Sequence, residues 1–321
     1  MESSKRGALL LAVVLIIAAI MGGLYGPSLK ATAAGATDLQ DSVKSFARVL
    51  SIVQQNYAEP IDTYLTNVLG TAHLLEGVRQ NQSVQAVIVV TSDKCYENVG
   101  HAWSYRETDA LGGHDPYSSS KACAEIVTDA YRRSFFHGRE STHVASARAG
   151  NVIGGGDRAP DRLVPDAIRA FETRQPLQIR NPEAVRPWQH VLDPVLGYLR
   201  LAECLVREGR KFCGAWNFGP APASEVPVSV IADHLVRLWQ GDAHWRHDAS
   251  EHPHEAVYLK LDCTKATNEL QWRPLFGLDE ALRATVEWYR AQHKGLNVRK
   301  ITLAQIERVL AQISAASLMQ T

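Results

Sequence analysis

The sequence predicts an α/β protein built on a parallel sheet, and three stretches of the chain support this prediction. The run Ala86–Val90 is apolar and β-branched, as a strand buried on both faces would be, and it stops abruptly at a polar segment. A second strand-like run, HVASARAGNVIG, follows a helical stretch from Lys121 to Arg133. An earlier stretch, TYLTNVLGTAHLLEGVRQ, has apolar residues at helical spacing. Alternation of strand and helix is typical of parallel βαβ units.

The composition indicates a globular protein without a basic surface for nucleic acid. The chain has 321 residues, enough for one large domain or two ordinary ones, and 34 basic and 34 acidic side chains give a formal net charge of zero. A nucleic-acid binder would carry a basic excess or stripe, so we expect no nucleic-acid partner. The five cysteines form no CxxC pair and no zinc spacing, which favours reduced thiols in a cytoplasmic protein and no metal site.

The first 60 residues differ from the rest and predict export or membrane anchoring. Lys5 and Arg6 precede residues 8–25, an uncharged apolar run that is typical of a signal peptide or a signal anchor in contact with the membrane. We therefore assign residues 1–35 to this targeting segment and residues 36–60 to an amphipathic leader helix. The stretch VQQNYAEPID resembles the leader of bacterial carboxy-terminal processing peptidases, but no Ser/Lys arrangement of that family follows it. Export conflicts with the cytoplasmic location that the cysteines favour.

The polar segment after the first strand is the strongest candidate for chemistry. Four residues, Thr91, Ser92, Asp93 and Lys94, follow the apolar run directly. Ligands of open parallel sheets bind at the carboxyl ends of the strands. A polar turn without function has the same appearance, so these residues need a chemical partner elsewhere in the chain.

Tyr117 and Lys121 supply that partner. They are four positions apart, so on a helix they share one face. A phenol with a pKa of about 10 is a poor base near neutral pH, but an adjacent ammonium lowers that pKa and lets the tyrosine exchange a proton with a sugar hydroxyl. Ser92 can hydrogen-bond the same hydroxyl. Tyrosine and lysine also occur at this spacing on solvated helix faces, so the prediction depends equally on the strand end and on the Asp-Pro before Tyr117.

These motifs resemble the extended short-chain dehydrogenase/reductases and, among them, the CDP-glucose 4,6-dehydratases. The resemblance covers residues 61–321 through TYLTNVLGTAHLLEGVR, TSDKCYEN, GGHDPYSSSKACAE, RAGNVIGGGDRAPDRLVPD, IRNPEAVRPWQHVLDP, WNFGP, EHPHEAVYLKLDCTKA and LQWRP. Asp93-Lys94 is the diagnostic pair, because dehydratases of dTDP- or GDP-sugars carry Asp-Glu there. The resemblance implies a partial Rossmann-type doubly wound parallel sheet in residues 61–155, preceded by the N-terminal hydrophobic helix. Residues 156–321 would form a smaller C-terminal α/β substrate region, and some segments of this region would belong to the Rossmann-type sheet.

The resemblance also implies a lyase reaction that uses NAD. Tyr117, helped by Lys121 and Ser92, would take the proton of the sugar O4 while NAD oxidises C4. Asp93 would be the acid for the departing hydroxyl when water is eliminated from C5 and C6, and return of the hydride would give CDP-4-dehydro-6-deoxyglucose. Lys94 stands where relatives place a glutamate base for C5, and it is either a neutral base or a charged stabiliser of the enolate. Tyr117 and Lys121 are also the expected NAD contacts.

The second half of the chain is expected to hold CDP-glucose. The resemblance places Asn151 and the DRLVP segment, which includes Arg162, at the nucleotide and the diphosphate. Arg186 is the best diphosphate candidate, because a guanidinium offers forked donors to phosphate oxygens. His252 lies where relatives close the nucleotide pocket, and an ordinary loop histidine is an equal alternative. Relatives often pair through the helices around the Tyr-Lys region, which would make a homodimer.

One feature that the resemblance requires is missing from the sequence. Extended dehydrogenases begin with a strand and a GxxGxxG turn, where glycines let backbone amides approach the pyrophosphate, and residues 1–90 contain no such turn. We therefore interpret the chain as truncated or chimeric, with an unrelated leader in place of the first NAD-binding strands. Such a loss would open the sheet edge at residues 86–90 and impair activity.

Two other functions are compatible with these residues. An epimerase of the same branch would not need the pair Asp93-Lys94, which counts against it. A catalytically dead, membrane-anchored protein that binds only the CDP-sugar is the second alternative, and it would bind CDP-glucose without NAD.

Overall fold

The structure is a computed structural model that describes residues 60–138, 141–250 and 258–318. The apolar run at residues 8–25 and the leader up to residue 59 lie outside these ranges, so the predicted N-terminal hydrophobic helix has no support from the structure. Within the described ranges, no helix is both long enough and apolar enough to cross a membrane.

Helices and strands alternate along the described chain. The helices are α1 (Pro60–Tyr64, the π-helical turn Leu65–Leu69 and Gly70–Gln80), α2 (Pro116–Tyr131, followed by the π-helical turn Arg132–Phe136), α3 (Leu163–Glu172), α4 (Leu192–Glu208), α5 (Val228–Trp239), α6 (Thr264–Glu269), α7 (Leu278–His293) and α8 (Val298–Leu318). The strands are β1 (Ala86–Val90), β2 (His143–Ala149), β3 (Val152–Ile153), β4 (Leu177–Ile179), β5 (Val185–Pro187), β6 (Gln189–His190), β7 (Gly214–Phe218), β8 (Glu225–Pro227) and β9 (Trp245–His247). Short 3₁₀ turns lie at Asp93–Cys95, Gly209–Phe212 and Pro222–Ser224.

A parallel sheet with the strand order β1-β2-β7 forms the centre of the first core. Ala86 pairs with His143 at the start of β1, and Ala145 pairs with Gly214 at the start of β7. The residues of β1 and β2 are largely β-branched or small, and their side chains are mostly buried on both faces. Parallel strands are buried in this way when helices cover both faces of the sheet. The prediction of a parallel α/β sheet is confirmed.

Successive residues of β1 point to opposite faces, so two hydrophobic clusters flank the sheet. On one face Ile88 belongs to a cluster with Leu201 of α4 and Trp216 of β7. On the other face Val89 clusters with Leu75 of α1. Each aliphatic side chain that is fully buried in this way stabilises the fold by about 1.5–3 kcal/mol. The two clusters fix β1, and with it the residues at its carboxyl end.

A second hydrophobic core lies in the C-terminal half. Ile168 of α3, Leu235 of α5 and Tyr289 of α7 are fully buried in it, and Val309 of α8 is 2% exposed. Short strands complete this part: β3 pairs with β6 and β4 with β9 in parallel, and β5 pairs with β8 antiparallel. This core supports the loops and short strands that follow the carboxyl ends of the main sheet.

β1 lies at one edge of the main sheet, and its only strand partner in the described ranges is β2. This open edge was expected from the sequence. The side chains of Ala86, Val87, Ile88 and Val89 are nevertheless buried, because α1 and α4 cover the two faces. Among the described residues, no strand pairs with the outer side of β1, and a backbone edge of this kind can pair with another strand.

Candidate active site

Ser92 and Asp93 are placed by the end of β1. Ser92 keeps an extended backbone and caps the 3₁₀ turn Asp93–Cys95, where its hydroxyl accepts a hydrogen bond from the Lys94 amide at 3.2 Å. The same hydroxyl donates to Asp93 Oδ1 at 3.0 Å. The turn keeps Ser92 and Asp93 buried and leaves Lys94 exposed.

The Asp93 carboxyl is a buried acid. It is 3% exposed, and its Oδ2 has no hydrogen-bond partner among the residues that the structure describes. Burial raises its pKa, against smaller lowering effects of Lys94, the Ser92 hydroxyl and Arg186. The carboxyl packs on the backbone of Gly150, where a Cβ would lie 1.7 Å from Oδ2. A carboxyl with a raised pKa keeps its proton to higher pH, which suits the acid predicted at this position.

The N-terminus of α2 positions Tyr117. Asp115 caps the helix, because its Oδ1 accepts hydrogen bonds from the amides of Tyr117 and Ser118, each at 2.9 Å. Pro116 occupies the first turn, where its missing N–H costs no helical hydrogen bond. The Asp-Pro that the sequence analysis noted before Tyr117 is therefore the start of the helix.

The ring of Tyr117 lies close to two lysines. The Nζ atoms of Lys94 and Lys121 are 5.9 and 5.8 Å from its centroid, within the range of a cation–π interaction. Lys121 is 8% exposed, and burial lowers its pKa to about 8, against the raising effects of Cys95 and Glu125. Lys121 is therefore mostly charged at pH 7, as a stabiliser of the Tyr117 phenolate must be. Because α2 packs against the 3₁₀ turn, the structure brings the five predicted catalytic residues together.

Arg186 is within electrostatic reach of the acid. It stands on β5, and its charge lowers the pKa of Asp93. Asn151 follows Gly150 directly and has a left-handed φ of 45°, and its carbonyl accepts a hydrogen bond from the Gln189 amide at 3.3 Å. Both predicted substrate residues therefore lie at the same end of the sheet as Asp93.

The other two predicted substrate residues are placed differently. The Arg162 side chain is 61% exposed and forms an ion pair with Asp157 at 3.0 Å. His252 lies outside the described residues. The structure therefore brings Asn151 and Arg186 to the site and leaves Arg162 on the surface.

A buried polar network next to the site was missed in the sequence analysis. Glu125, one helical turn after Lys121, is 4% exposed. Its Oε1 accepts a hydrogen bond from Thr91 Oγ1 at 2.5 Å, and its Oε2 accepts from Ser146 Oγ at 2.6 Å and Arg148 Nη2 at 2.9 Å. The available signal was an acid eight positions after the tyrosine, on the same face of the helix.

The cysteines have no role in the proposed reaction. All five are free thiols, and burial raises the pKa of Cys263 to about 12, so this thiol stays protonated at neutral pH. In the part of the chain that the structure covers, no group of three or more His, Cys, Asp or Glu side chains could hold a metal ion.

Comparison with known proteins gives the family. The family model for NAD dependent epimerases/dehydratases matches residues 30–212, more than half of the chain. The chain belongs to the NAD-dependent epimerase/dehydratase family. A relative from Salmonella typhimurium, named CDP-glucose 4,6-dehydratase, is 52% identical over 248 residues, which cover 76% of this chain and 69% of that protein.

Further members of the family share less sequence. A dTDP-glucose 4,6-dehydratase from Streptomyces antibioticus is 29% identical over 243 residues, or 74% of this chain and 67% of that protein. The crystal structure of dTDP-glucose 4,6-dehydratase from Bacillus anthracis, in complex with NAD, has a TM-score of 0.60 at 25% identity and covers 74% of this chain and 72% of its own. Epimerase Mth375 from Methanothermobacter thermautotrophicus, with a TM-score of 0.66 at 22% identity over 77% of this chain and 70% of its own, shares the fold.

The family match begins at residue 30, so it includes residues 30–60, which were expected to belong to a targeting segment and a leader helix. Neither the comparisons nor the described residues give support to the peptidase resemblance, the signal anchor or the chimeric interpretation. The resemblance to NAD-dependent nucleotide-sugar dehydratases is confirmed.

Proposed function

We propose that this chain is a lyase that converts CDP-glucose to CDP-4-dehydro-6-deoxyglucose. The arrangement at the end of β1 carries the proposal: Asp93, a buried acid, is hydrogen-bonded to Ser92, and the Tyr117 ring lies close to two lysines. The 52% identity with the Salmonella protein named CDP-glucose 4,6-dehydratase supports the CDP-sugar as substrate. The pair Asp93-Lys94 supports a dehydratase over an epimerase.

Tyr117 is the base for the first proton transfer. Its phenolate takes the proton of the sugar O4 hydroxyl. The Lys121 ammonium stabilises that phenolate, and its Nζ lies 5.8 Å from the centroid of the Tyr117 ring. The Ser92 hydroxyl donates to Asp93 and accepts from the Lys94 amide in the structure. To hold the sugar while Tyr117 takes the O4 proton, its O–H would turn from Asp93 and donate to O4.

Asp93 and Lys94 act in the elimination. Once C4 is a ketone, the proton on C5 becomes acidic, and water leaves as the C5–H and C6–O bonds break. Burial raises the pKa of Asp93, which favours the protonated carboxyl that can give its proton to the departing hydroxyl. Lys94 either removes the C5 proton as a neutral amine or stabilises the enolate as an ammonium.

The residues present fit the nicotinamide end of NAD. Lys121 is a buried ammonium beside the Tyr117 ring at the carboxyl end of a parallel sheet, and its donors suit the hydroxyls of a ribose. Tyr117 and Lys121 would hold the cofactor there. When bound, NAD supplies a hydride acceptor for C4 and later a hydride donor for C6.

The substrate contacts come from the loops and short strands beyond β2. We propose Arg186 and Asn151 as the groups that hold the diphosphate and the nucleotide, because both lie at the Asp93 end of the sheet. Arg162 would join them only after it releases Asp157. His252 is proposed to close the nucleotide pocket.

The hydrophobic clusters support a division into a Rossmann-type region, residues 61–155, and a substrate region, residues 156–321. Leu201, Trp216 and Leu270 belong to the sheet cluster, so segments of the second region return to the first. We also propose that two copies pair through the outer faces of α1 and α2. Exposed apolar side chains on these helices support the pairing: Ile61, Leu65, Leu69 and Ile126.

The test is turnover of CDP-glucose by the full chain with added NAD. We expect a product that has lost one water, with deuterium at C5 when the solvent is D₂O, and at least about 10²-fold slower turnover in the Asp93→Asn variant. dTDP-glucose is the control substrate. If the chain binds CDP-glucose but neither binds NAD nor converts the sugar, the catalytically dead binding protein is favoured. If the product is an epimer that has lost no water, the epimerase is favoured.

A further inference from the structure

Glu125 occupies a buried position that the proposed reaction does not use. It lies on α2, one turn after Lys121 and two turns after Tyr117, so the three side chains share one face of the helix. Its carboxylate is 4% exposed and accepts three short hydrogen bonds from side chains, namely those of Thr91, Ser146 and Arg148. A buried carboxylate with this many donors has a fixed position.

The three donors belong to the two strands whose ends form the site. Thr91 precedes Ser92 at the end of β1, and its amide donates to the Ala147 carbonyl of β2 at 2.8 Å. Ser146 and Arg148 are residues of β2 itself. Glu125 therefore joins the helix that carries the tyrosine and lysine to the strand end that carries the serine and aspartate.

The Arg148 partner of Glu125 is also held on its other side. Its Nη1 donates to the Tyr96 hydroxyl at 2.8 Å, and the guanidinium lies 4.8 Å from the Tyr96 ring centroid. The Tyr96 hydroxyl donates in turn to Asn217 Oδ1 of β7 at 2.7 Å. Both side chains of the Glu125–Arg148 pair are 3% exposed, so neither can exchange its partner for water without local opening.

Glu125 is also the anion that acts on Lys121. Besides the Tyr117 phenol, the titratable groups that face Lys121 are Cys95 and Glu125, and burial raises the pKa of the Cys95 thiol so that it stays neutral. Glu125 itself faces Arg148. The Arg148 guanidinium also interacts electrostatically with Tyr96 and Glu107. Burial is already the largest influence on the pKa of Lys121, and removing the negative charge of Glu125 would leave that lowering effect less opposed.

We propose that Glu125 is a positioning residue, which keeps Lys121 charged and holds α2 in register with the strand end that carries Ser92. Its effect on turnover rests on the proposed function. Its effect on Lys121 does not, because it follows from the contacts of the protein alone.

The first test is the titration of Lys121 in the full chain without substrate. Carbon-13 lysine is incorporated, the Lys121 signal is assigned with a Lys121→Arg variant, and the titration midpoint is compared between wild type and Glu125→Gln. We expect the midpoint to fall by about one pH unit in Glu125→Gln, because a nearby opposite charge stabilises the ammonium. Asp129→Asn is the matched control on the same helix, since Asp129 pairs with surface Arg133 at 2.8 Å, and it should leave the midpoint unmoved. An unmoved midpoint in Glu125→Gln overturns the electrostatic part of the proposal.

The second test is the pH profile of kcat with CDP-glucose and NAD. Glu125→Gln should lower kcat about tenfold or more, with KM changed less than about twofold, and should move the alkaline limb to lower pH, because Lys121 loses its proton earlier. Glu125→Asp keeps the charge and should restore the position of the limb. A purely structural role would lower kcat and leave the limb in place, and that result would overturn the proposal.

A third variant covers the case in which Glu125→Gln does not fold. Thr91→Val keeps the charge and the side-chain volume but removes the hydrogen bond to Glu125, so kcat should fall while the alkaline limb stays in place. If Thr91→Val has the kcat of wild type, Glu125 does not hold α2 in register with the strand end that carries Ser92. If the Lys121 midpoint moves as expected and CDP-glucose is not converted, the proposed function fails and the positioning role stands.

Discussion

Gly150 and Asp93 show how the absence of one side chain makes room for the carboxyl of another. In Gly150→Ala the new Cβ would lie 1.7 Å from Asp93 Oδ2 and 2.2 Å from its Cγ, so the carboxyl must move. We expect kcat for CDP-glucose to fall at least about tenfold, with KM nearly unchanged, because a displaced acid affects the elimination more than binding. Steady-state kinetics measure this effect.

Gly77→Ala is the matched control for this substitution. Gly77 lies in α1 with nothing within 4 Å of a Cβ, so alanine should leave turnover unchanged and raise the free energy of unfolding by about 0.5–1 kcal/mol. Wild-type kcat in Gly150→Ala would show that the position of Asp93 does not limit the reaction.

The two groups of proposed catalytic residues were predictable from the sequence because their signals are local. Ser92, Asp93 and Lys94 follow one strand, and Tyr117 and Lys121 share one helix face. The roles of Asp93 and Lys94 came from the resemblance to the dehydratases. The burial of Asp93 was not predictable, because it depends on Gly150, which a different strand delivers. The partners of Glu125 were missed for the same reason.

At the scale of elements, α8 is held by a narrow apolar contact. Val309 is 2% exposed in the C-terminal core, whereas its neighbour Leu310 is 52% exposed. Val309→Ala should therefore lower the free energy of unfolding by about 2 kcal/mol, through lost burial and a small cavity. Leu310→Ala should change it by less than about 0.5 kcal/mol. Urea unfolding measures the free energy of unfolding of both variants. Equal losses would mean that α8 does not pack on the core through the face that carries Val309.

The longer elements were predictable and the shorter ones were not. β1, β2 and α2 carry a clear hydrophobic pattern over five residues or more. β3 and β6 have two residues each, and they exist because Val152 lies opposite Gln189 in the folded chain. A strand this short has no period of its own, and tertiary contacts alone define it.

At the scale of the whole molecule, the outer faces of α1 and α2 predict self-association. Ile126 is 56% exposed, and Ile126→Lys would place a charge in the centre of the proposed contact between copies. We expect the full chain to sediment as a dimer and Ile126→Lys as a monomer, because an unpaired charge is costly in an apolar interface. Val206→Lys, at a 44% exposed site on α4, is the control that should stay dimeric. A monomeric wild type would refute the pairing.

The strand order of the main sheet has a kinetic consequence. Ala86 pairs with His143 and Ala145 with Gly214, so each ladder joins segments separated by at least one helix and its loops. Closing such loops costs chain entropy before any pairing compensates for it, and folds with distant contacts form slowly. α2 can form early from local contacts, with Tyr117 and Lys121 already on one face. Asp93 meets Gly150 only after β2 has docked, so we expect the proposed catalytic acid to be placed later in folding than Tyr117 and Lys121.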